Sequence, residues 1–222
     1  MPAGFVFAVK ASRYITHLKR FREPVGPLRR LLDRTAGLGE RLGPILFQLP
    51  AGFEADLEWL DGFLPALAAY LGQRFAFEFR HPSWLSAAVY SRLEAASCAL
   101  CLPVGMGLPC DPRLTADWTY VRMHRGARSL GFGDAELEEW ARTIGPLMGR
   151  AADAYVYFNN DTGGHALRDA PDWLHASVQV TSRDRGRRHR PVADRRFWPA
   201  RWPRAGARDS GLRSRAGSPC AE

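Results

Sequence analysis

Short apolar segments alternate with longer amphipathic segments over the first 170 residues, and this alternation constrains the fold more than any other feature. The apolar segments lie at 5–10, 45–49, 75–80, 99–102, 119–124 and 154–158. Each has the length of a strand, and leucines recur at helical spacing between them, as in 56–70. Strands that alternate with helices predict an α/β fold with a parallel sheet and helical crossovers.

Two α/β architectures fit this pattern, a parallel barrel and an open, doubly wound sheet. No Gly-x-Gly-x-x-Gly motif follows the first apolar segment, and no glycine-rich loop of the phosphate-cradling type is evident. The pattern alone therefore leaves both architectures open. No apolar run approaches the roughly 18 residues that cross a bilayer, and the layout of a signal peptide is absent, so we expect a soluble, cytoplasmic protein with no membrane partner.

The positive charge is concentrated at the C-terminal end of the chain. Residues 181–222 contain 12 arginines and four acidic residues, whereas residues 1–180 contain 19 basic and 19 acidic residues. The later segment also has little hydrophobic periodicity. We therefore expect a folded domain over 1–170, followed over 171–222 by a disordered basic extension or by the product of an out-of-frame reading of a GC-rich gene.

Cys98 and Cys101 form a Cys-x-x-Cys pair inside an apolar segment. No second Cys or His pair follows at the spacing of a zinc site. We expect the two side chains to be small buried hydrophobes, the alternative being a metal or redox site.

Polar side chains recur near the C-terminal ends of the predicted strands. Alternate residues of a strand face opposite sides, so the three phenylalanines of 75–80 share one face and leave Glu78 and Arg80 on the other. Parallel barrels place their active sites at the C-terminal ends of the strands. The residues expected to converge on this polar mouth are Lys10, Gln48, Glu78, Arg80, Arg122, His124, Asn159 and Asp161.

This set favours anion binding with acid–base chemistry beside it. Lys10, Arg80 and Arg122 could bind a phosphate or a carboxylate. A histidine could act as general acid or base near neutral pH, with Glu78 as an orienting partner. The predicted catalytic residues are Glu78, His81, His124 and Asp161. The predicted ligand-binding residues are Lys10, Gln48, Arg80, Trp84, Arg122, Asn159 and Asn160.

Several of these assignments have alternatives. Glu78 could instead pair with Arg80 or Arg122 inside the barrel, because a buried charge requires a partner. Trp84 is either a lid over the site or part of the core, and the polar loop 159–165 either binds ligand or turns the chain. The residues available for a metal site are Glu78, His81, His124, Asp161 and His165. No compact ligand motif supports such a site, so no metal ligand is assigned and the cofactor is left open.

Five ordered motifs give the chain a resemblance to a known family. The motifs are FAVKAS at 7–12 with ITH at 15–17, LGPILFQLP at 42–50, FEFRHPSW at 77–84, TAD at 115–117 with YVRMH at 120–124, and YFNND at 157–161. Over residues 3–170 the chain resembles the domain-of-unknown-function 72 family, also called YecE-like. The resemblance implies a TIM-barrel-like fold, and it implies no established reaction.

The resemblance also implies an incomplete barrel. Members of this family begin with two further strand–helix units, so the chain is expected to hold six of eight units and to lack about 60 residues upstream. One functional class is an enzyme that hydrolyses a phosphate-bearing substrate by acid–base or metal-assisted chemistry. The other is a protein that binds nucleic acid or a small ligand without turnover. A nonfunctional fragment is a third alternative, and the oligomeric state is left open.

Overall fold

Six parallel strands form a curled half-barrel in the computed structural model. The structure describes residue 2 and residues 4–19 and 22–185, and it describes side chains as far as residue 177. The strands are β1 (Phe7–Lys10), β2 (Leu42–Gln48), β3 (Phe75–Glu78), β4 (Ala99–Val104), β5 (Trp118–Met123) and β6 (Asp153–Phe158). They are ordered in the sheet as in the chain, and among the described residues β1 and β6 have a partner strand on one side only. The predicted TIM-barrel-like α/β fold is confirmed. The two further units expected before β1 stay a prediction.

Five α-helices pack against the outer side of this sheet. They are α1 (Val25–Thr35), α2 (Leu57–Leu67), α3 (Ala87–Ala95), α4 (Asp134–Met148) and α5 (His165–Arg185). Helix α2 begins where it does because the Asp56 carboxylate accepts a hydrogen bond from the Trp59 N–H at 3.0 Å, which satisfies a donor of the first turn. None of the helices in the described part of the chain is long and apolar enough to cross a membrane.

The connection from β4 to β5 is a loop without a helix, over residues 105–117. Thr115 attaches this loop to the start of β4. Its buried hydroxyl donates to the Cys98 carbonyl at 2.7 Å and accepts from the Leu100 N–H at 2.8 Å. The Thr115 side chain therefore attaches this connection to the sheet, whereas the other connections between strands pack on the sheet through a helix.

Alternate strand residues enter two separate cores, as the strand pattern predicted. Phe77 of β3 and Val121 of β5 belong to the larger core, which lies between the sheet and the helices. The smaller core lies on the concave side of the sheet. Its buried members are Leu46, Ala76, Ala99, Cys101, Trp118 and Tyr120. Glu78 follows Phe77 and therefore points to the concave side.

Cys98 and Cys101 are both buried free thiols. Burial raises the pKa of Cys98 to about 12, and burial followed by the charge of Glu78 raises the pKa of Cys101 well above its ordinary value. Both side chains therefore stay protonated at neutral pH and pack as small hydrophobes.

Arg74 joins two strands that are not neighbours in the sheet. It precedes β3, and its guanidinium donates to Asp153 Oδ2 at 2.5 Å and to the Tyr155 hydroxyl at 2.8 Å, both on β6. The same guanidinium lies 5.6 Å from the ring centroid of Trp118 on β5. These contacts require a strongly curled sheet, because the N-terminal ends of β3 and β6 must face each other across its concave side.

Helix α5 extends the fold past the boundary expected at residue 170. The helix reaches Arg185, and Trp173 and Ser177 on it are buried. The Trp173 ring packs against Phe158 of β6 with a centroid distance of 6.3 Å. Pro171 removes one helical hydrogen bond, and the burial of Trp173 offsets this loss. The described helix thus continues past residue 170, the tail expected over 171–222 stays a prediction, and residues 186–222 lie outside the described residues.

Candidate functional site

Glu78 is the centre of a polar network at the C-terminal end of the sheet. Its side chain is fully buried at the end of β3. Oε1 accepts from Arg80 Nε at 2.8 Å, and Oε2 accepts from Arg122 Nη1 at 2.5 Å. The same Nη1 donates to Gln48 Oε1 at 3.0 Å. The structure thus brings together four of the predicted site residues.

The strand register explains why these four side chains meet. Gln48 and Glu78 are paired neighbours on β2 and β3. Strand β4 lies between β3 and β5, and there it contributes Cys101, whose small side chain has its Sγ 3.9 Å from Oε2 of Glu78. The long side chain of Arg122 on β5 therefore reaches Glu78 past β4. Both ion pairs considered from the sequence, with Arg80 and with Arg122, are present.

Glu78 is ionised in this environment. Burial on its own raises the pKa of a carboxyl group, but His124, Arg122 and Arg80 outweigh burial and lower the pKa of Glu78 to about 2. A carboxylate with so low a pKa, and with both oxygens bound to arginine, is a poor proton acceptor at neutral pH. Glu78 is therefore suited to orient the two arginines.

His124 lies beside this carboxylate and is oriented by Asn159. The imidazole is buried, and its Nε2 is 3.7 Å from Oε1 of Glu78, too far for a hydrogen bond. Its Nδ1 is 2.9 Å from Nδ2 of Asn159. An amide nitrogen only donates, so Nδ1 accepts and the neutral ring carries its proton on Nε2. In the described part of the chain, buried Nε2 and the Asn159 Oδ1 have no hydrogen-bond partner.

Positive charge exceeds negative charge at this end of the sheet. Lys10 ends β1 with an exposed side chain, and no ion pair to it occurs among the described residues. Arg80 and Arg122 share the one carboxylate of Glu78. Both η nitrogens of Arg80, with Nε and Nη2 of Arg122, make no hydrogen bond within the described chain. These N–H groups are donors available to an anion.

Sequence reasoning missed three polar residues beside Lys10. Arg13, Thr16 and His17 lie in the helical turn that directly follows β1. The hydroxyl of buried Thr16 is 2.7 Å from Nδ1 of His17. Burial first, and then the charges of Arg13, Lys10 and Arg80, lower the pKa of His17. Their position directly after the end of a strand was the signal available in the sequence.

Trp84 and Asn160 do not line the mouth. Trp84 is fully buried, stacks on Phe79 at a centroid distance of 4.6 Å, and donates from Nε1 to the Phe53 carbonyl at 2.7 Å. It is a core residue, so the lid interpretation is wrong. Asn160 is also buried, and its amide donates to Asp169 Oδ2 at 2.7 Å, which ties the end of β6 to α5.

His81 and Asp161 lie in surface loops. The Nδ1 of half-exposed His81 accepts from the Ser83 N–H and is 2.8 Å from the Ser83 hydroxyl, and that hydroxyl oxygen accepts from the Ala55 N–H. The side chain of Asp161 is exposed and caps nothing. Within the described residues, neither side chain makes a hydrogen bond or an ion pair with the network around Glu78.

Metal ligands are not grouped in the part of the chain that the structure describes, where no three His, Cys, Asp or Glu side chains are arranged to hold an ion. Among the residues considered for a metal, Glu78 Oε1 and His124 Nε2 lie 3.7 Å apart, and no third described ligand joins them. His165 places its Nδ1 2.7 Å from Arg168, and Glu78 is occupied by two arginines. The site offers donors for an anion and few ligands for a cation.

This geometry occurs in a chain with recognisable relatives. The chain is 28% identical over 215 residues to the UPF0759 protein YunF of Bacillus subtilis (strain 168), and the match covers 78% of this chain and 73% of that protein. A crystal structure of a DUF72 family protein from Thermotoga maritima has a TM-score of 0.68 and 26% identity, covering 82% of this chain and 75% of the other. A DUF72 family protein from Enterococcus faecalis has a TM-score of 0.66 at 17% identity, with coverage of 80% and 76%, and shares the fold.

The family model described as "Protein of unknown function DUF72" matches residues 1–192. That span contains all six strands and the network around Glu78. The chain therefore belongs to the DUF72 family.

Proposed function

We propose that this protein binds a phosphate-bearing small molecule at the C-terminal mouth of the half-barrel and hydrolyses it by acid–base catalysis. The observation that carries the proposal is the pair of arginines held by one buried carboxylate. Arg80 and Arg122 keep N–H donors that no described residue uses, while Glu78 fixes their positions. Fixed guanidinium groups are suited to the planar, bidentate recognition of phosphate oxygens.

His124 is the residue proposed to transfer the proton. Its buried Nε2 has no partner among the described residues and, in the neutral ring, carries the proton. In the proposed step, a water oxygen bonds to phosphorus and the ester P–O bond breaks with its electron pair on the leaving oxygen. The ring acts as the imidazolium, with the Asn159 amide turned so that its Oδ1 accepts from Nδ1–H. The leaving oxygen takes the proton from Nε2, and the proton lost by the water returns to Nε2. Water is consumed, and an alcohol and phosphate are released.

Glu78 and Asn159 are positioning residues in this proposal. Glu78 keeps its negative charge throughout, which stabilises the two arginines and an imidazolium at His124. Asn159 holds Nδ1 of the ring. The second candidate function is binding of a small ligand without turnover. It is favoured by the Asn159 contact as the structure shows it, because a neutral ring that accepts at Nδ1 has no free base nitrogen and offers Nε2–H only as a hydrogen-bond donor.

The test uses the full chain and two measurements. Calorimetry reports binding of inorganic phosphate, and release of p-nitrophenol reports hydrolysis of p-nitrophenyl phosphate and bis(p-nitrophenyl) phosphate. Arg122→Gln is expected to weaken phosphate binding at least tenfold. His124→Gln is expected to retain binding and to lose about 100-fold or more in turnover. His175→Gln, on the exposed side of α5, is the matched control and should change neither.

The outcomes separate the candidates. Turnover that survives a chelator and requires His124 supports acid–base hydrolysis, whereas turnover abolished by the chelator and restored by a divalent cation contradicts it in favour of metal assistance. Phosphate binding with no turnover of either ester identifies the binding protein. An absence of phosphate binding, or binding unaffected by Arg122→Gln, overturns the proposal.

A further inference from the structure

A second cationic cluster lies beside the mouth, at the end of β1. It consists of Lys10, Arg13 and His17, and we call it the β1 cluster. Lys10 is aligned with Leu46 of β2, and the next N–H, of Ala11, donates to the Leu46 carbonyl at 2.9 Å. The turn that follows is fixed to the body of the protein because Ile15 and Thr16 are buried. The β1 cluster is therefore built on an anchored segment of the chain.

The charges of the β1 cluster are not neutralised by the described residues. No acidic side chain there forms an ion pair with Lys10 or Arg13. Arg80 lies close enough to act on His17 together with them, and its own carboxylate, Glu78, is shared with Arg122. Lys10 and Arg13 thus act on one imidazole without a counter-charge among the described residues, and Arg80, which shares Glu78 with Arg122, adds a third cation. This arrangement favours an anion beside the imidazole.

His17 is held through one ring nitrogen, and the other has no hydrogen-bond partner among the described residues. Thr16 is almost completely buried, and its hydroxyl forms a hydrogen bond with Nδ1 of His17 at 2.7 Å. Nε2 has no hydrogen bond within the described residues, and the ring is only partly exposed. An imidazolium in this position donates from Nδ1 to the Thr16 oxygen and from Nε2 to a ligand.

We infer that the β1 cluster is a second anion subsite, so that the ligand of the mouth carries two or more negatively charged groups of the phosphate type. This inference rests on the proposed function, because Arg80 belongs to both subsites and connects them. The ligand class is a small oligoanion, either an inorganic phosphate chain or an organic molecule with two phosphate groups. Burial and three neighbouring cations disfavour the imidazolium of His17, and an anion reverses that preference, so ligand binding takes up a proton.

The probes are inorganic phosphate and tripolyphosphate, titrated by calorimetry into the full chain at 0.15 M salt. Wild-type protein is expected to bind tripolyphosphate about tenfold more tightly than phosphate, as charge-assisted hydrogen bonds to a second group predict. Lys10→Met/Arg13→Met is expected to bind the two probes equally. Arg29→Met/Arg34→Met removes the same charge from the exposed face of α1 and should keep the tenfold preference.

The role of His17 has its own readout. Titrations in two buffers with different ionisation enthalpies give the number of protons taken up. His17→Asn is expected to lower proton uptake with tripolyphosphate and to leave proton uptake with phosphate unchanged. Equal proton uptake by His17→Asn and wild type would remove His17 from the subsite.

The outcomes also distinguish the inference from the proposed function. Phosphate binding that requires Arg122, together with a tripolyphosphate preference that survives Lys10→Met/Arg13→Met, overturns the second subsite and leaves the first intact. If both double variants lose the preference for tripolyphosphate, the preference depends on the total positive charge of the protein, and the inference is overturned. If neither probe binds, both proposals fail.

Discussion

Arg122 on β5 donates to the carboxylate of Glu78 on β3 across the intervening strand β4. The carboxylate is fully buried and also accepts from Arg80, so one negative charge is shared by two guanidinium groups. This relationship makes Glu78 the residue on which both the local stability and the charge of the mouth depend.

Glu78→Gln is expected to lower the free energy of unfolding by about 3 kcal/mol, because removing one partner of a buried ion pair leaves the other uncompensated. Urea denaturation followed by circular dichroism measures the change. Glu94→Gln, at an exposed position on α3, is the control and should change the free energy by less than about 0.5 kcal/mol. Equal stability of the two variants would contradict a structural role for Glu78.

The stabilising contribution of Glu78 is expected to depend on pH below 4.5. Its pKa is about 2 in the folded protein and 4.5 as an ordinary glutamate, so its contribution is complete above about pH 5 and is lost as the pH falls toward 2. The difference corresponds to about 3 kcal/mol. Unfolding free energies of wild type and Glu78→Gln should therefore converge between pH 4.5 and 2 and differ by a constant amount from pH 5.5 to 7. A constant difference down to pH 2.5 would disprove the lowered pKa.

Arg74 and Asp153 are expected to be coupled by about 1–2 kcal/mol in a double-mutant cycle of Arg74→Met and Asp153→Asn. Their contact joins β3 to β6 and holds the curl of the sheet. Lys19 and Glu23, an exposed pair four residues apart, provide the comparison and should be coupled by no more than about 0.5 kcal/mol. Similar coupling energies in the two cycles would show that the contact across the sheet contributes no more than a surface pair.

Neutral His124 is expected to carry its proton on Nε2. Nitrogen-15 NMR of the histidine rings distinguishes the two tautomers, and Asn159→Leu should produce a mixture because Nδ1 loses its donor. His175, exposed on α5, should give the same spectrum in both proteins. A wild-type signal from the Nδ1–H tautomer would mean that Asn159 presents its oxygen to the ring.

Trp84→Phe is expected to destabilise the protein by about 1–2 kcal/mol and to leave phosphate binding unchanged. The substitution removes the hydrogen bond from Trp84 Nε1 to the Phe53 carbonyl inside an aromatic core. Thermal unfolding and phosphate calorimetry on the same preparation separate the two effects. Weaker phosphate binding with unchanged stability would mean that Trp84 contributes to the binding site.

The sequence predicted the strands and their two faces because both follow from alternation within a few residues. The segment 119–124 corresponds to β5 at Trp118–Met123, and Glu78 and Arg122 face the concave side as expected. The convergence of Gln48, Glu78, Arg80 and Arg122 was also predictable, since parallel strands place their ends together. These are properties of local sequence and of the fold class.

Contacts that depend on packing were not predictable in the same way. A tryptophan after a strand end fits a lid or a core equally well, and only the neighbours of Trp84 decide between them. The boundary expected at residue 170 fell inside α5, because the burial of Trp173 that supports the helix there depends on β6. The contact between Arg74 and Asp153 depends on the curl of the whole sheet, which no periodicity encodes.

The order of the strands in the sheet, identical to their order in the chain, has a consequence for how the protein folds. From β2 to β6, each described strand pairs with the strand that precedes it, so each pairing closes only one connecting segment. The segment from β4 to β5 is the short loop 105–117. Closing one connecting segment at a time limits the chain entropy that is lost at each step. The sheet can therefore grow by one strand at a time in the direction of synthesis, and Arg74 meets Asp153 only when the sixth strand arrives.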